Sequence, residues 1–255
     1  MSAPYLRVAG VNQNFGGLQA LNDCSFAISP GQITCLVGPN GAGKTTIFNV
    51  ITGFLRPDTG SVAFRGQVLD GLAPQAIVQA GIARSFQNLR LFPDLTALDN
   101  VLVALPGAFG EEPLGALFRP FHTARSEARR RNAALERLAH VGLADRAAAR
   151  VRNLSYGEQK LLTVARLLAT EAELLLLDEP ASGLAAGALE QVMALLRRLQ
   201  SEGKTLLVVE HNTRVVQQIA DHVLFLHQGH LMAEGTPAAI IADPALAEIY
   251  FGGAL

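Results

Sequence analysis

The chain of 255 residues is 49% hydrophobic and 17% charged, and its formal net charge at pH 7 is −1. This composition excludes a disordered protein, and the balanced charge disfavours nucleic acid as a partner. With only two cysteines, Cys24 and Cys35, the sequence excludes a disulfide scaffold and indicates a reducing compartment.

The mean hydropathy of +0.26 is high for a water-soluble protein. A membrane-spanning helix needs about 20 apolar residues in a row, whereas the longest uncharged run, 25–43, contains two prolines and four glycines. The N-terminus lacks the basic flank and apolar core of a secretory signal. We therefore expect the apolar excess to lie in a core or on a surface that another protein covers.

Short strands broken by turns are predicted near the N-terminus, at 5–9, 26–29 and Ile33–Val37. The last of these is a continuous apolar run, which is typical of a strand covered on both faces. A glycine-rich turn, a helix over 45–51 and a strand over 61–64 are predicted to follow.

The middle of the chain is predicted to be more helical. Residues 98–105 and 124–141 have helical patterns, and 106–120 is expected to be irregular because of its glycines and prolines. The arginines of 124–141 lie mostly opposite its apolar positions. We interpret them as a solvated helix face, with contact to a partner as the alternative.

Strands and helices alternate after residue 155, which predicts a largely parallel sheet covered by helices. The expected helices are 156–169, 186–200 and 213–220, and the expected strands are 174–177, Thr205–Val209 and 223–226.

A phosphate-binding loop is predicted at 38–45, where GPNGAGKT matches the pattern G-x-x-x-x-G-K-[ST]. Its glycines let backbone N–H groups converge on an anion at a helix N-terminus. Lys44 adds a positive charge for the β- and γ-phosphates, and Thr45 offers a hydroxyl oxygen to Mg²⁺. The alternative is a glycine-rich turn with a surface lysine, but the strand before the motif and the helix after it favour a nucleoside triphosphate site.

Two carboxylates follow the apolar run 174–177. We predict that Asp178 faces Mg²⁺ and that Glu179, which points elsewhere, polarises the attacking water. The alternative is a plain turn at the end of a strand, which the presence of the phosphate loop disfavours.

Ser155 and Glu158 precede this acidic strand by about twenty residues and have the S-x-x-E spacing of a capping box. Ser155 is therefore predicted to begin a helix. A helix N-terminus with a hydroxyl group and Gly157 can form a second anion site. The simpler interpretation is a helix start alone, but its position before the acidic strand favours a functional role.

These motifs, in this order, resemble ATP-binding cassette (ABC) ATPases, the motor subunits of membrane transporters, along essentially the whole chain. The resemblance implies an α/β fold with a P-loop NTPase core, a mainly parallel covered sheet, an N-terminal antiparallel β subdomain and a helical insertion subdomain. It implies one ABC ATPase domain over 1–255. The nucleotide-binding core and β subdomain would take 1–87 and 155–255, and the helical subdomain about 88–154.

The resemblance also implies roles for single residues. Phe15 falls where an aromatic ring stacks on adenine, Gln87 where a glutamine links Mg²⁺ and water to the helical subdomain, and His211 where a histidine senses the γ-phosphate. The implied catalytic residues are Glu179, His211, Gln87 and Lys44, and the implied Mg²⁺ ligands are Thr45, Gln87 and Asp178. The implied ATP contacts are Phe15, Gly38, Pro39, Asn40, Gly41, Ala42, Gly43, Lys44, Thr45, Thr46, Ser155, Gly157 and Glu158.

Residues 85–104 and the tail from 233 resemble ATPases of branched-chain amino-acid importers. This implies an ATP-hydrolysing subunit in the cytoplasm, peripheral on the inner face of the cell membrane. Its partners would be a second copy or a sister ATPase, transmembrane permease subunits and, indirectly, a solute-binding protein, with no nucleic acid. The alternatives are the ATPase of a lipopolysaccharide-type exporter and, less favoured, a soluble non-transport ABC ATPase.

Two positions depart from the family pattern. Tyr156 replaces the commoner glycine in the family signature, which is most often LSGGQ. Ala185 replaces an Asp or Asn that links the two ATP sites of a dimer. Because alanine has no polar side-chain group, we expect ATP binding to survive and the rate or coordination of hydrolysis to change.

Overall fold

The computed structural model describes residues 5–107 and 120–251. The chain forms two compact units. The first unit takes Met1–Arg84, Glu173–Gly183 and Met193–Leu255, and the second takes Ser85–Ala172 and Leu184–Val192.

The first unit contains two β-sheets. Its strands are β1 (Leu6–Phe15), β2 (Leu18–Ile28), β3 (Ile33–Val37), β4 (Thr59–Phe64), β5 (Gln67–Val68), β6 (Ile82–Arg84), β7 (Leu174–Asp178), β8 (Thr205–Val209), β9 (His222–His227) and β10 (His230–Gly235). One sheet has the order β2-β1-β4-β5, and the other has the order β10-β9-β3-β8-β7-β6.

The four-stranded sheet is antiparallel and is built on the long hairpin of β1 and β2. These strands have ten and eleven residues, whereas the sequence predicts only 5–9 and 26–29 in this region. The pairing of β1 with β2 shifts register after Val8, Val11 and Gln13. Each shift interrupts the alternation of apolar and polar residues, so the period of two cannot be followed along the whole strand.

The six-stranded sheet is parallel except for the β9–β10 hairpin. Every residue of β3, β7 and β8 is buried, as their continuous apolar sequences predict for strands covered on both faces. The two sheets therefore agree with the predicted α/β fold, in which a mainly parallel sheet accompanies an antiparallel one.

Nine α-helices occur in the described ranges. They are α1 (Lys44–Ile51), α2 (Pro74–Gln79), α3 (Ala97–Leu102), α4 (Pro120–His140), α5 (Tyr156–Ala169), α6 (Ala186–Ser201), α7 (Thr213–Ile219), α8 (Pro237–Ala242) and α9 (Pro244–Phe251). The predicted helix over 98–105 ends earlier, at Leu102, and the one over 124–141 begins earlier, at Pro120. The predicted irregular stretch falls mostly on 108–119, outside the described residues.

The main core of the first unit forms where α1 and the strands bring large apolar side chains together. Phe48 of α1, Phe64 of β4 and Leu6 of β1 are among its fully buried members. Both cysteines are buried free thiols, and burial raises the pKa of each.

The second unit is helical. Its helix α3 packs on α4 and α5. The side chain of Asn100 in α3 is fully buried, accepts a hydrogen bond from the backbone N–H of Phe92 and donates to the carbonyl oxygens of Phe92 and Thr96. This amide therefore fixes the loop that leads into α3.

Among the residues that the structure describes, no helix combines the length and the apolar character required to cross a membrane.

Candidate functional site

The predicted phosphate loop connects β3 to α1, and its glycines are needed for close packing. A Cβ atom on Gly38 would lie 2.0 Å from the carbonyl oxygen of Leu226 in β9. One on Gly43 would lie 2.6 Å from the carbonyl oxygen of Ala20 in β2, at a φ of +103°. Side chains at these positions would force the loop away from both strands, so glycine holds the loop in place.

The amine of Lys44 lies over this loop. Its Nζ donates to the carbonyl oxygens of Gly38, at 2.6 Å, and Pro39, at 2.8 Å. Burial lowers the pKa of Lys44, while the negative charges of Glu179 and Asp178 act to raise it. The fold therefore places the lysine of the loop within electrostatic range of both carboxylates predicted from the acidic strand.

Asp178 ends β7 and is paired with a residue that the sequence interpretation left without a role. Its Oδ2 accepts a hydrogen bond of 3.3 Å from Nη2 of Arg84, the last residue of β6. Nη1 of Arg84 donates to Oδ1 of Asn49 in α1, at 2.6 Å. The guanidinium thus connects the acidic strand to the helix that follows the phosphate loop. The sequence signal for a role of Arg84 is its position as a charged residue directly after the short apolar segment 82–83.

Glu179 follows Asp178 and turns the chain sharply. Its φ is +49°, in the left-handed region that residues other than glycine rarely adopt. The N–H of Glu179 donates to the carbonyl oxygen of Val209, at 3.0 Å. Its Oε1 lies 3.6 Å from Nδ1 of His211. The structure therefore brings together two residues that are 32 positions apart. Glu179 is predicted to polarise the attacking water, and the family resemblance implies that His211 senses the γ-phosphate.

Phe15 lies at the end of β1, where it pairs with Leu18 across the hairpin turn. Both side chains are exposed, at 49% for Phe15 and 67% for Leu18. An exposed ring of this kind is available to stack on a planar ligand.

The signature residues lie in the second unit, at the start of α5. Ser155 and Glu158 form the predicted capping box, since the Ser155 N–H donates to Glu158 Oε2, at 2.7 Å, and the Glu158 N–H donates to Ser155 Oγ, at 3.3 Å. Glu158 also pairs with Arg146, at 2.9 Å. Burial acts to raise the pKa of Glu158, but the hydrogen bonds from Ser155 and the charge of Arg146 outweigh it, so that the pKa is lowered.

Gly157 is required by packing within the same unit. A Cβ atom there would lie 2.9 Å from Cβ of Ala188 in α6. Tyr156, the departure from the family signature, has a side chain that is 46% exposed, and the Lys160 amine lies 5.5 Å from the centre of its ring. The exposed Tyr156 side chain therefore leaves the close packing of Gly157 against Ala188 undisturbed. Gln87 is also exposed and lies in this unit, two residues beyond its boundary at Ser85.

Oxygen donors of the predicted site have the chemistry that Mg²⁺ prefers. In the first unit, Asp178 supplies a carboxylate and Thr45, in the first turn of α1, a hydroxyl. The glycine-lined loop and Lys44 supply N–H groups and a positive charge, which suit phosphate. The residues present thus fit a magnesium-bound nucleotide.

Glu210 is the second residue that sequence interpretation left without a role. It lies between Val209 and His211 and is only 1% exposed. A carboxylate directly after an apolar strand and directly before the predicted switch histidine was the available signal.

The family model for "ABC transporter" matches residues 21–182. The chain is 38% identical over 255 residues to the high-affinity branched-chain amino acid transport ATP-binding protein BraF of Pseudomonas aeruginosa, with all of both chains covered.

Solved structures lead to the same family. An ATP-binding cassette of an ABC transporter in its ADP conformation has a TM-score of 0.86 and 31% identity, covering 98% of this chain and 100% of that one. A dimeric bacterial ABC transporter cassette has a TM-score of 0.76 and 28% identity, covering 91% of this chain and 98% of that one. The predicted family and fold class are thereby confirmed, and the chain belongs to the ABC transporter family as an ATP-binding cassette.

Proposed function

We propose that this chain is the ATP-hydrolysing subunit of an ABC importer for branched-chain or related amino acids. The observation that carries the proposal is similarity along the full chain to an amino-acid transport ATP-binding protein, combined with a complete set of ATPase motifs. A lipopolysaccharide-type exporter and a non-transport ATPase would have the same motifs, but the full-length similarity to an amino-acid transport protein favours the importer.

Nucleotide binding would depend on the loop between β3 and α1. The loop N–H groups and Lys44 would hold the phosphates, and Phe15 would stack on the adenine. The Lys44 amine is already held over the loop by two carbonyl oxygens. Thr45, Asp178 and Gln87 would hold Mg²⁺, which supplies neutralisation of the phosphate charge when bound.

Hydrolysis would depend on the two residues that the ends of β7 and β8 bring together. The carboxylate of Glu179 would orient the attacking water and accept its proton, and His211 would donate to the γ-phosphate end. The separation of 3.6 Å between Glu179 Oε1 and His211 Nδ1 supports this pairing, because a group as small as a water molecule can contact both side chains.

The working unit would contain two ATP-binding subunits. This chain carries one phosphate loop and one signature, and in the family the signature of one subunit covers the nucleotide of the other. Ser155, Gly157 and Glu158 would thus contact the nucleotide of a second copy or of a sister ATPase. The dimeric cassette among the similar structures supports this arrangement. Permease subunits would hold the assembly on the inner face of the cell membrane, where a solute-binding protein acts indirectly.

The test compares three variants in ATP binding, hydrolysis and oligomeric state. We expect Glu179→Gln to reduce hydrolysis by about 10²- to 10⁴-fold, the range of a lost general base, and to accumulate an ATP-bound dimer. Lys44→Ala should weaken ATP binding by roughly 10- to 100-fold, because charged hydrogen bonds to phosphate are lost. Glu234→Gln, at an exposed position in β10, is the control and should leave all three properties unchanged.

The substrate is tested by recovering the permease complex with this chain and measuring ATPase stimulation. Branched-chain amino acids with their binding protein should stimulate the complex, whereas other solutes should not. Stimulation by lipopolysaccharide alone would favour the exporter. Native hydrolysis by Glu179→Gln, or its failure to dimerise with ATP, would contradict the proposed mechanism.

A further inference from the structure

Glu210 is a buried carboxyl group beneath the turn that presents Glu179. It lies at the end of β8, directly before His211, and is only 1% exposed. Its Oε1 accepts a hydrogen bond of 2.9 Å from the backbone N–H of Ala181. Its Oε2 is also buried.

The turn at Glu179 needs an anchor because its backbone conformation is unfavourable. At a φ of +49°, Glu179 lies in a region that costs energy for any residue with a Cβ atom. Before the turn, the Glu179 N–H donates to Val209. After it, Pro180 has no N–H to offer, so the N–H of Ala181 is the first that can secure the chain.

Both anchors of this turn therefore come from the same two residues, Val209 and Glu210, at the end of β8. The next residue is His211, whose Nδ1 lies 3.6 Å from Oε1 of Glu179. A displacement of the turn relative to the end of β8 would alter that distance. The Glu210 side chain thus makes a polar connection from the end of β8 to the segment that follows Glu179.

Burial raises the pKa of Glu210, and the charge of Glu179 acts in the same direction, whereas the N–H groups of Ala181 and His211 and the charge of His211 act to lower it. A carboxylate buried to this extent remains costly even with these hydrogen bonds, and an apolar residue would avoid that cost. Of the two N–H groups, only that of Ala181 belongs to a different segment of the chain, so this hydrogen bond is the one that connects the turn to the end of β8. A neutral amide oxygen could accept it as well.

We propose that Glu210 is a positioning residue for ATP hydrolysis, whose side-chain oxygen fixes the Glu179 turn relative to His211 by binding the N–H of Ala181. The inference rests on the proposed ATPase function. It concerns the arrangement of the two proposed catalytic side chains and assigns Glu210 no contact with nucleotide.

Two variants separate the hydrogen bond from the charge and from the space that the side chain fills. Glu210→Gln keeps an oxygen acceptor and removes the charge. Glu210→Met keeps a similar length and volume and removes the acceptor. Glu210→Ala serves as a second acceptor-free variant should the methionine fail to fold, and Glu234→Gln is the surface control.

The expected result is a split between kcat and nucleotide affinity. Glu210→Met should lower kcat about 10- to 100-fold while KM and the Kd for ATP stay within about 2-fold of the parent. Glu210→Gln should retain at least half of kcat. Equal losses of kcat in Glu210→Gln and Glu210→Met would overturn the proposal, as would a loss of ATP affinity parallel to the loss of kcat.

Hydrogen exchange of the Ala181 amide gives a readout independent of activity. The parent and Glu210→Gln should protect this amide, and Glu210→Met should exchange it at least about 10-fold faster. Unchanged protection in Glu210→Met would overturn the proposal. If the parent protein with its permease does not hydrolyse ATP, the proposed function fails. If it does and Glu210→Met hydrolyses ATP equally well, only the positioning role fails.

Discussion

The guanidinium of Arg84 lies 3.3 Å from the carboxylate of Asp178, with only 4% and 9% of the two side chains exposed. A second arginine–carboxylate pair in the same unit, Arg65 with Glu173, is closer, at 2.8 Å, but has 54% and 52% of its side chains exposed. The two pairs therefore differ in burial far more than in geometry. Burial determines how much the free energy of unfolding falls when one partner of such a pair is removed.

Arg84→Gln is expected to destabilise the fold strongly, because it leaves the buried carboxylate of Asp178 without its guanidinium. The cost of such a change is about 3–5 kcal/mol. The matched Arg65→Gln substitution should cost less than about 1 kcal/mol, because water solvates the exposed carboxylate of Glu173 that remains. Urea denaturation at pH 7 measures both values, and similar losses in the two variants would refute the difference.

Phe15→Ala should weaken ATP binding roughly 3- to 10-fold, the value expected from loss of one aromatic stacking contact of about 0.5–1.5 kcal/mol. Leu18→Ala is the matched control, because Leu18 pairs with Phe15 at the hairpin tip and is even more exposed. The chain contains no tryptophan, so Phe15→Trp would introduce a single tryptophan whose emission should respond to ATP. Equal effects of Phe15→Ala and Leu18→Ala would argue against stacking.

Ala185→Asp should stabilise the chain and change its hydrolysis rate. Ala185 directly precedes α6, and its carbonyl oxygen accepts the hydrogen bond from the Leu189 N–H that opens the helix, at 2.9 Å. It thus occupies the N-cap position without a capping side chain, where Asp or Ser typically adds about 0.5–2 kcal/mol.

Ala185→Ser separates the two effects of that change. Both variants should raise Tm, but only Ala185→Asp restores the carboxylate that the family uses between ATP sites, so only it should raise the rate or coordination of hydrolysis. An equal rate change in the serine variant would attribute the effect to helix capping.

Stability should fall between pH about 10 and 12 because of Tyr5. Its hydroxyl donates to Glu173 Oε2, at 2.8 Å, and burial together with Glu173 raises the pKa of Tyr5 to about 12. The folded protein thus holds this proton more tightly than the unfolded chain, whose tyrosine has a pKa of about 10. The contribution is complete below pH about 10 and is lost as pH rises towards 12.

Tyr5→Phe provides the control for that pH dependence. The phenylalanine variant should be less stable than the parent at pH 8, and the difference should shrink between pH about 10 and 12. Urea midpoints measured across this range test the expectation, and a difference that stays constant with pH would contradict it.

Motifs of neighbouring residues predict much of the local structure of this protein. The strand Ile33–Val37, the glycine loop and the start of α1 follow one another in the chain, so their local geometry can be inferred from residue type and spacing. The capping box of Ser155 and Glu158 spans only one helical turn, and the structure forms it as predicted. The long hairpin was the exception, because its register shifts are set by pairing with the partner strand.

Contacts between distant segments required the tertiary structure. Arg84 and Asp178 are 94 positions apart, and Ala181 and Glu210 are 29 apart. Each pair meets because parallel strands end at the same edge of the sheet, and strand order is a property of the whole fold. The sequence alone therefore predicts the chemistry of the site, from residue types and their spacing. The contacts of Arg84 with Asp178 and of Glu210 with Ala181 depend on the order of β6, β7 and β8 in the sheet, which only the tertiary structure decides.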